Sequence, residues 1–240
     1  MRSTVLFAVV LVLNIGGGDG PRALAGTDST AAPQSTGPQS ATQEVPPPDL
    51  QGFPTAPAPD ELATVALPDT ISAVTALFER LPAEVAGHTR SPQLNPTTPE
   101  RATVGYGEGR ISGGGVRTSL LWLQAIDLTK SDFFPTNWTG GHVVAFMAGR
   151  GKELKADPDG KLYWMREEHG RDGNLFWMHQ VTFVDATGSP ERFPAERVPV
   201  YGTLWGSVDS PWMFSIQADA RENRDALLAG FVIAARSSPR

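Results

Sequence analysis

Residues 161–184 read KLYWMREEHGRDGNLFWMHQVTFV. Two runs rich in β-formers, Lys161 to Glu168 and Asn174 to Val184, flank Gly170-Arg171-Asp172-Gly173. That pattern predicts a β-hairpin closed by the Gly-Arg-Asp-Gly turn. In the register such a turn sets, His169 faces Asn174, His179 faces Trp164 and Arg166 faces Trp177. Side chains alternate across a strand, so Leu162, Trp164, Leu175, Trp177 and Val181 share one face. Tyr163, Phe176 and Met178 share the other, and the two histidines fall on opposite faces.

Working outward, Thr203–Trp205 and Trp212–Ala218 flank Asp209-Ser210-Pro211, a second hairpin. Upstream, Ala102–Tyr106 is a short strand and Gly105–Gly115 a glycine-rich connection. Val116–Leu128 contains LLWLQAIDL, apolar on both alternating faces, as in a strand covered on both sides. Three helices complete the pattern. Ile71, Val74, Leu77, Phe78 and Leu81 recur at helical period behind a cap at Asp69, with Pro82 and Gly87 where the helix stops. His142–Met147 suggests a short helix. Asp219 and Glu222 have capping-box spacing ahead of Leu227, Leu228, Phe231, Val232 and Ala235, with Arg224 expected on the solvent side.

Together these elements predict an α+β domain over residues 61–240: a mostly antiparallel sheet of about five to six strands, with helices on one or both faces. The order of elements across residues 69–236 resembles the PsbP/Mog1-like arrangement, an antiparallel sheet between helices. The resemblance is one of topology and implies a layer order, with no residue roles.

The chain ahead of the domain has a different character. Arg2, the apolar run Val5–Leu13 and Ala23-Leu24-Ala25 have the form of a secretory signal peptide over residues 1–25, cleaved before Gly26. The apolar run is too short to span a bilayer. Residues 26–60 are rich in Pro, Ser, Thr and Gln and nearly lack apolar anchors, so they read as a disordered, semi-stiff spacer. The chain has no cysteine, which excludes thiol chemistry, Cys-based zinc sites and lipid attachment through a thioether. Export without disulfides suits a bacterial protein that is secreted or held in the cell envelope. Twenty basic and 26 acidic residues give a net charge of −6. With no basic cluster, nucleic acid is not an expected partner.

Catalytic patterns do not emerge. His88, His142, His169 and His179 lack the spacing of a local metal site. Gly206-Ser207-Val208 is not a nucleophile elbow, and GYGEGRISGGG lacks phosphate-loop spacing. Glu167 and Glu168 are adjacent on a strand and should point to opposite faces. No cofactor or metal is expected. Aromatic residues are the outstanding feature. Trp164 and Trp177 in the hairpin, with Phe133, Phe134 and Trp138 in a loop, are the expected ligand-binding residues. They suit a glycan, a peptide, an apolar small molecule or an envelope protein. The sequence therefore reads as a non-enzymatic extracytoplasmic binding or interaction domain. The alternative is a secreted hydrolase with a dispersed site, such as His142 with Asp127 or Asp132.

Overall fold

The computed structural model describes residues 45–91, 97–98, 100–107, 121–131, 134–150, 155–156, 163–185 and 197–237. Residues Pro46–Arg240 form one compact unit. Among the described residues its ten strands are β1 (Glu84–Val85), β2 (His88–Ser91), β3 (Thr97–Thr98), β4 (Arg101–Tyr106), β5 (Leu121–Asp127), β6 (Lys155–Ala156), β7 (Tyr163–Asp172), β8 (Leu175–Asp185), β9 (Arg197–Ser207) and β10 (Trp212–Ala218). They form a single sheet in the order β1-β2-β4-β5-β10-β9-β8-β7-β6, with β3 beside β4. Each of these strand pairs is antiparallel. The fold is α+β, as expected, but the sheet is wider than five to six strands. Three strands have only two residues, too few to show an alternation in sequence.

Helices lie on both faces. On the first face, α1 (Ile71–Glu79) and α3 (Arg221–Arg236) cover the centre of the sheet. The stripe Val74, Leu77 and Phe78 of α1 is buried, as is Leu227, Leu228, Phe231 and Val232 of α3. Trp205 stacks on Phe214 at 5.4 Å, and Phe231 meets both rings at 5.0 and 5.5 Å. Such aromatic contacts add about 0.5–1.5 kcal/mol per pair to the burial itself. On the second face, α2 (Gly140–Arg150) lies over β8, β9 and β10. Its first residue rests directly on β9. A Cβ on Gly206 would come within 2.6 Å of the Gly140 backbone, so neither position admits a side chain. Among the described residues, no helix is long and apolar enough to cross a membrane.

Several local expectations are corrected. The cap of α1 is Thr70, whose hydroxyl accepts from the Ala73 amide at 3.3 Å, not Asp69. Ala220 precedes α3 without a side-chain cap, and Asp219 instead accepts from the Asn223 amide group at 2.8 Å. The helix at His142–Met147 is longer at both ends. Arg224 is buried and paired with Glu167 and Asp225, because the first turn of α3 faces the β7–β8 hairpin instead of water.

The hairpin register differs most. The turn is the pair Gly173-Asn174, with Gly173 at φ +58°, and Asp172 pairs with Leu175. A β-bulge at Glu167-Glu168 then shifts the pairing. His169 therefore pairs with Met178, Arg166 with Gln180 and Trp164 with Thr182. Trp164 thus takes a register position of the Phe176, Met178 set, and Trp177 belongs to the opposite face. The inserted residue reverses the alternation upstream of it.

Part of the segment expected as spacer packs on the sheet. Residues Pro54–Ala56 add to the outer edge of β7 through a parallel bridge between Thr55 and Arg171. The Ala56 amide donates to the Arg171 carbonyl at 3.0 Å and the Arg171 amide to the Pro54 carbonyl at 2.8 Å. Phe53 packs against His169 and Phe176, each at 5.0 Å. This short strap covers one end of β7 and β6 covers the other, which shields a sheet edge.

Candidate functional site

The strands that bury aromatic rings on the first face carry uncharged polar side chains on the second. Strand β10 reads WMFSIQA: Trp212, Phe214, Ile216 and Ala218 enter the first core, and Ser215 and Gln217 point the other way. Pairing aligns Thr103, Gln124 and Ser215 across β4, β5 and β10. The next row runs Gly105, Trp122, Gln217, Gly202 and Gln180 across β4, β5, β10, β9 and β8. Thr182 lies two residues further along β8. Thr103, Gln124, Gln180, Thr182, Ser215 and Gln217 are each 3–6% exposed.

Bare backbone at Gly202 shapes this strip. A Cβ there would lie 3.1 Å from Cγ of Gln180 and 3.2 Å from its Nε2, so Gln180 lies flat across β9 towards Gln217. The Trp122 indole donates to Oε1 of Gln217 at 3.2 Å, which fixes both groups. Gln124 reaches the Thr103 hydroxyl at a long 3.5 Å. None of the described residues hydrogen-bonds to the side chains of Gln180, Thr182 or Ser215. The side-chain atoms sealed from solvent without a partner are the Thr98 hydroxyl and the Trp177, Trp205 and Trp212 indoles, so the polar atoms of the strip keep some access to water. Arg166 closes the row on β7, but its Nη1 donates to the Ala148 carbonyl of α2 at 2.5 Å.

A charged cluster occupies the first face, where the β7 bulge meets α3. The Glu167 carboxylate is held by Arg221 and, at 3.3 Å, by Arg224, which also bonds Asp225 at 2.8 Å. The Arg221 guanidinium lies 4.7 Å from the centre of the Tyr201 ring. Beneath them His179 shares a 2.8 Å hydrogen bond with the Thr203 hydroxyl. Burial, aided by Arg224, pushes the His179 imidazole down to about 4, so it is neutral near pH 7. Burial, with Asp225 nearby, raises the carboxyl of Asp60. This cluster ties a helix to a hairpin. Its acids are occupied by arginines, and no carboxylate hydrogen-bonds the His179 ring to orient it as a base.

His142 and Asp127 are likewise committed elsewhere. Nδ1 of His142 accepts from the Thr139 amide at 3.2 Å and meets its hydroxyl at 2.8 Å. Burial lowers its affinity for a proton. Asp127 accepts from the Thr129 amide and hydroxyl at 3.0 and 2.6 Å and pairs with Lys130. Asp132 lies outside the described residues. Among the described residues, no group of three His, Asp or Glu side chains could hold a metal ion.

The aromatic positions are dispersed. Trp177 is buried in the first core, 5.4 Å from His179. Phe134 and Trp138 are buried, with Trp138 against Phe146 of α2 at 5.2 Å. Phe133 and the Trp164 side chain lie outside the described residues, but the Trp164 backbone pairs with Thr182 at the end of the polar strip. Sequence reasoning missed the strip itself. Its residues lie singly between apolar ones on four strands, and only the register brings them together. Comparison with family models, with curated proteins and with solved structures finds no match for this chain.

Proposed function

We propose that the chain is an exported, non-enzymatic binding domain of the bacterial cell envelope that takes a small uncharged ligand on the second face of its sheet. One observation supports this reading: Gln180, Thr182 and Ser215 lie on one strip and make no side-chain hydrogen bond with the described residues, while their polar atoms are not among those sealed from solvent without a partner. Convergent polar groups set in an otherwise apolar surround are what orient a ligand. The aromatic contribution passes to Trp122, within the strip. Phe133, Phe134, Trp138 and Trp177 are less central to it. The PsbP/Mog1-like likeness enters only as layer order, a sheet between helices. Export rests on the form of residues 1–25, and N-terminal sequencing of secreted protein should find Gly26 first.

Native mass spectrometry of the secreted, purified chain tests the binding reading. The protein should carry a small-molecule adduct that the double variant Gln180→Leu, Ser215→Ala lacks. Bare protein in both samples would overturn the reading. The alternative, a secreted hydrolase, would need His142 freed from Thr139.

A further inference from the structure

The strap that edges β7 is joined to its domain by a strained turn. We propose that this strap, residues Phe53–Ala58, is exchanged between two copies of the chain, each docking on the β7 edge of the other in a two-fold dimer.

The seat comes first. Bare backbone at Gly170 makes room for Ala56: a Cβ there would lie 2.6 Å from Cβ of Ala56 and 3.1 Å from Nε1 of Trp177. Phe53 meets the rings of His169 and Phe176, and the Ala58 amide donates to the Asp172 carboxylate at 3.2 Å. Ala58 is buried and Phe53 and Ala56 are half-buried, whereas Pro54, Thr55 and Pro57 are exposed. The seat thus reads Phe-x-x-Ala-x-Ala, with two backbone hydrogen bonds at Arg171. Each of these contacts is the same when a second copy supplies the strap. An outside peptide would have to repeat the pattern, and a second copy always carries it.

The connection comes second. Pro54, Pro57 and Pro59 favour extended backbone, and Ala58 is extended at φ −72°, ψ 142°. A left-handed turn follows at Asp60 (φ 51°, ψ 30°) and Glu61 (φ 57°, ψ 32°). Two successive non-glycine residues there hold a conformation that L side chains oppose. Just beyond, Glu61 pairs with Arg236 and Leu62 is fully buried, so the strain sits in the turn alone. Opening the turn lets Asp60 and Glu61 relax while the strap remakes its contacts on the other copy. Exchange therefore keeps the contacts and sheds the strain, the condition that invites swapping through a short hinge.

Reach fixes the form of the dimer. Only Pro59, Asp60 and Glu61 separate Ala58 from Leu62, a span of about 13 Å at ~3.3 Å per extended residue. The two hinges must then lie side by side, which makes the exchange reciprocal about a two-fold axis.

The chain has no cysteine, so introduced thiols report cleanly. Full chains carrying either Thr55→Cys or Arg171→Cys, the two sides of the bridge, are mixed, concentrated and oxidised. The expected product is a disulfide from position 55 of one chain to position 171 of the other, read by peptide mass spectrometry. Light scattering of the unaltered chain should show a dimer fraction that rises with concentration. Asp60→Pro fixes φ at about −65° and forbids the closed turn, so it should raise that fraction several-fold. Asp60→Gly combined with Glu61→Gly relieves the turn and should lower it several-fold. Absence of the interchain link, or a dimer fraction that neither hinge variant moves, would overturn the proposal. If Asp60→Pro does not fold, the glycine pair and the cysteine mixture carry the test.

Discussion

The two faces of the sheet are built from the same strands and do opposite things. On the first face, alternate residues of β5, β9 and β10 supply Leu121, Leu123, Trp205, Trp212, Phe214 and Ile216 to a core closed by α1 and α3. On the second, the intervening residues of β5 and β10 supply Trp122, Gln124, Ser215 and Gln217. There α2 covers only the β8, β9 and β10 side. Apolar burial stabilises by about 25 cal/mol per Å² removed from water. Carboxamides and hydroxyls that keep contact with water gain less, although the first core itself seals the Trp177, Trp205 and Trp212 indole N–H groups without partners. The first face accordingly carries the larger core, and the second adds Phe176, Met178, Leu204 and Met213 beside Val143, Val144 and Met147 of α2.

The sharpest way to break this contrast is a matched pair of truncations. Phe231→Ala, at the centre of the aromatic triad, should cost ~3–5 kcal/mol in urea denaturation. Gln180→Leu, on the second face, should cost less than about 1 kcal/mol or stabilise, since it removes a polar group that lacks a partner among the described residues. Equal costs would show that both faces are load-sharing cores.

Acid should strike the first face next. The unfolded His179 protonates near 6.5, while the folded ring resists until about 4. Stability is therefore unaffected by this group above pH 6.5. It falls as pH drops from 6.5 to 4, because the unfolded chain binds the extra proton, by a total on the order of 3 kcal/mol. His142 and His169 are shifted the same way by burial and add to the trend. Urea midpoints at pH 7, 5.5 and 4 should fall in that order, and His179→Gln should flatten the slope. An unchanged slope would place His179 in water.

The smallest effect belongs to the strap at the rim of the second face. Phe53 is half-buried between His169 and Phe176, so Phe53→Ala should cost roughly 1–2 kcal/mol by its lost apolar area. A chain starting at Pro59 should melt several degrees below one starting at Pro46. Identical melting would mean the strap is ornamental to the fold.

Much of the first face was legible in the sequence, because burial there follows simple periods. The stripe of α3 and the double-sided strand LLWLQAIDL name their own neighbours. Where one residue is out of step, periodicity misleads. The two-residue turn displaced His169 from its expected partner, and the bulge at Glu167-Glu168 then displaced Arg166 and Trp164, with no single residue announcing it. Arg224 looked solvent-facing because its burial depends on a carboxylate 57 positions upstream in the chain. The polar strip was hidden for a related reason. Ser and Gln alternating with apolar residues read as the wet side of a strand. Only cross-strand register shows that Gln124 and Ser215 are opposite one another, and that Gln217 and Gln180 flank Gly202.

The strap has a mechanical consequence. Any pull arriving along the chain from before residue 53 meets two backbone hydrogen bonds, the Phe53 ring, the Ala58 amide bonded to Asp172 at 3.2 Å and the Glu61–Arg236 pair before it reaches Leu62 in the core. Those contacts would peel first, lengthening the chain by the residues between Phe53 and Ala58 while the sheet stays whole. At up to ~3.5 Å per extended residue, that is about 20 Å of slack. The domain thus carries a short fuse at its N-terminal side.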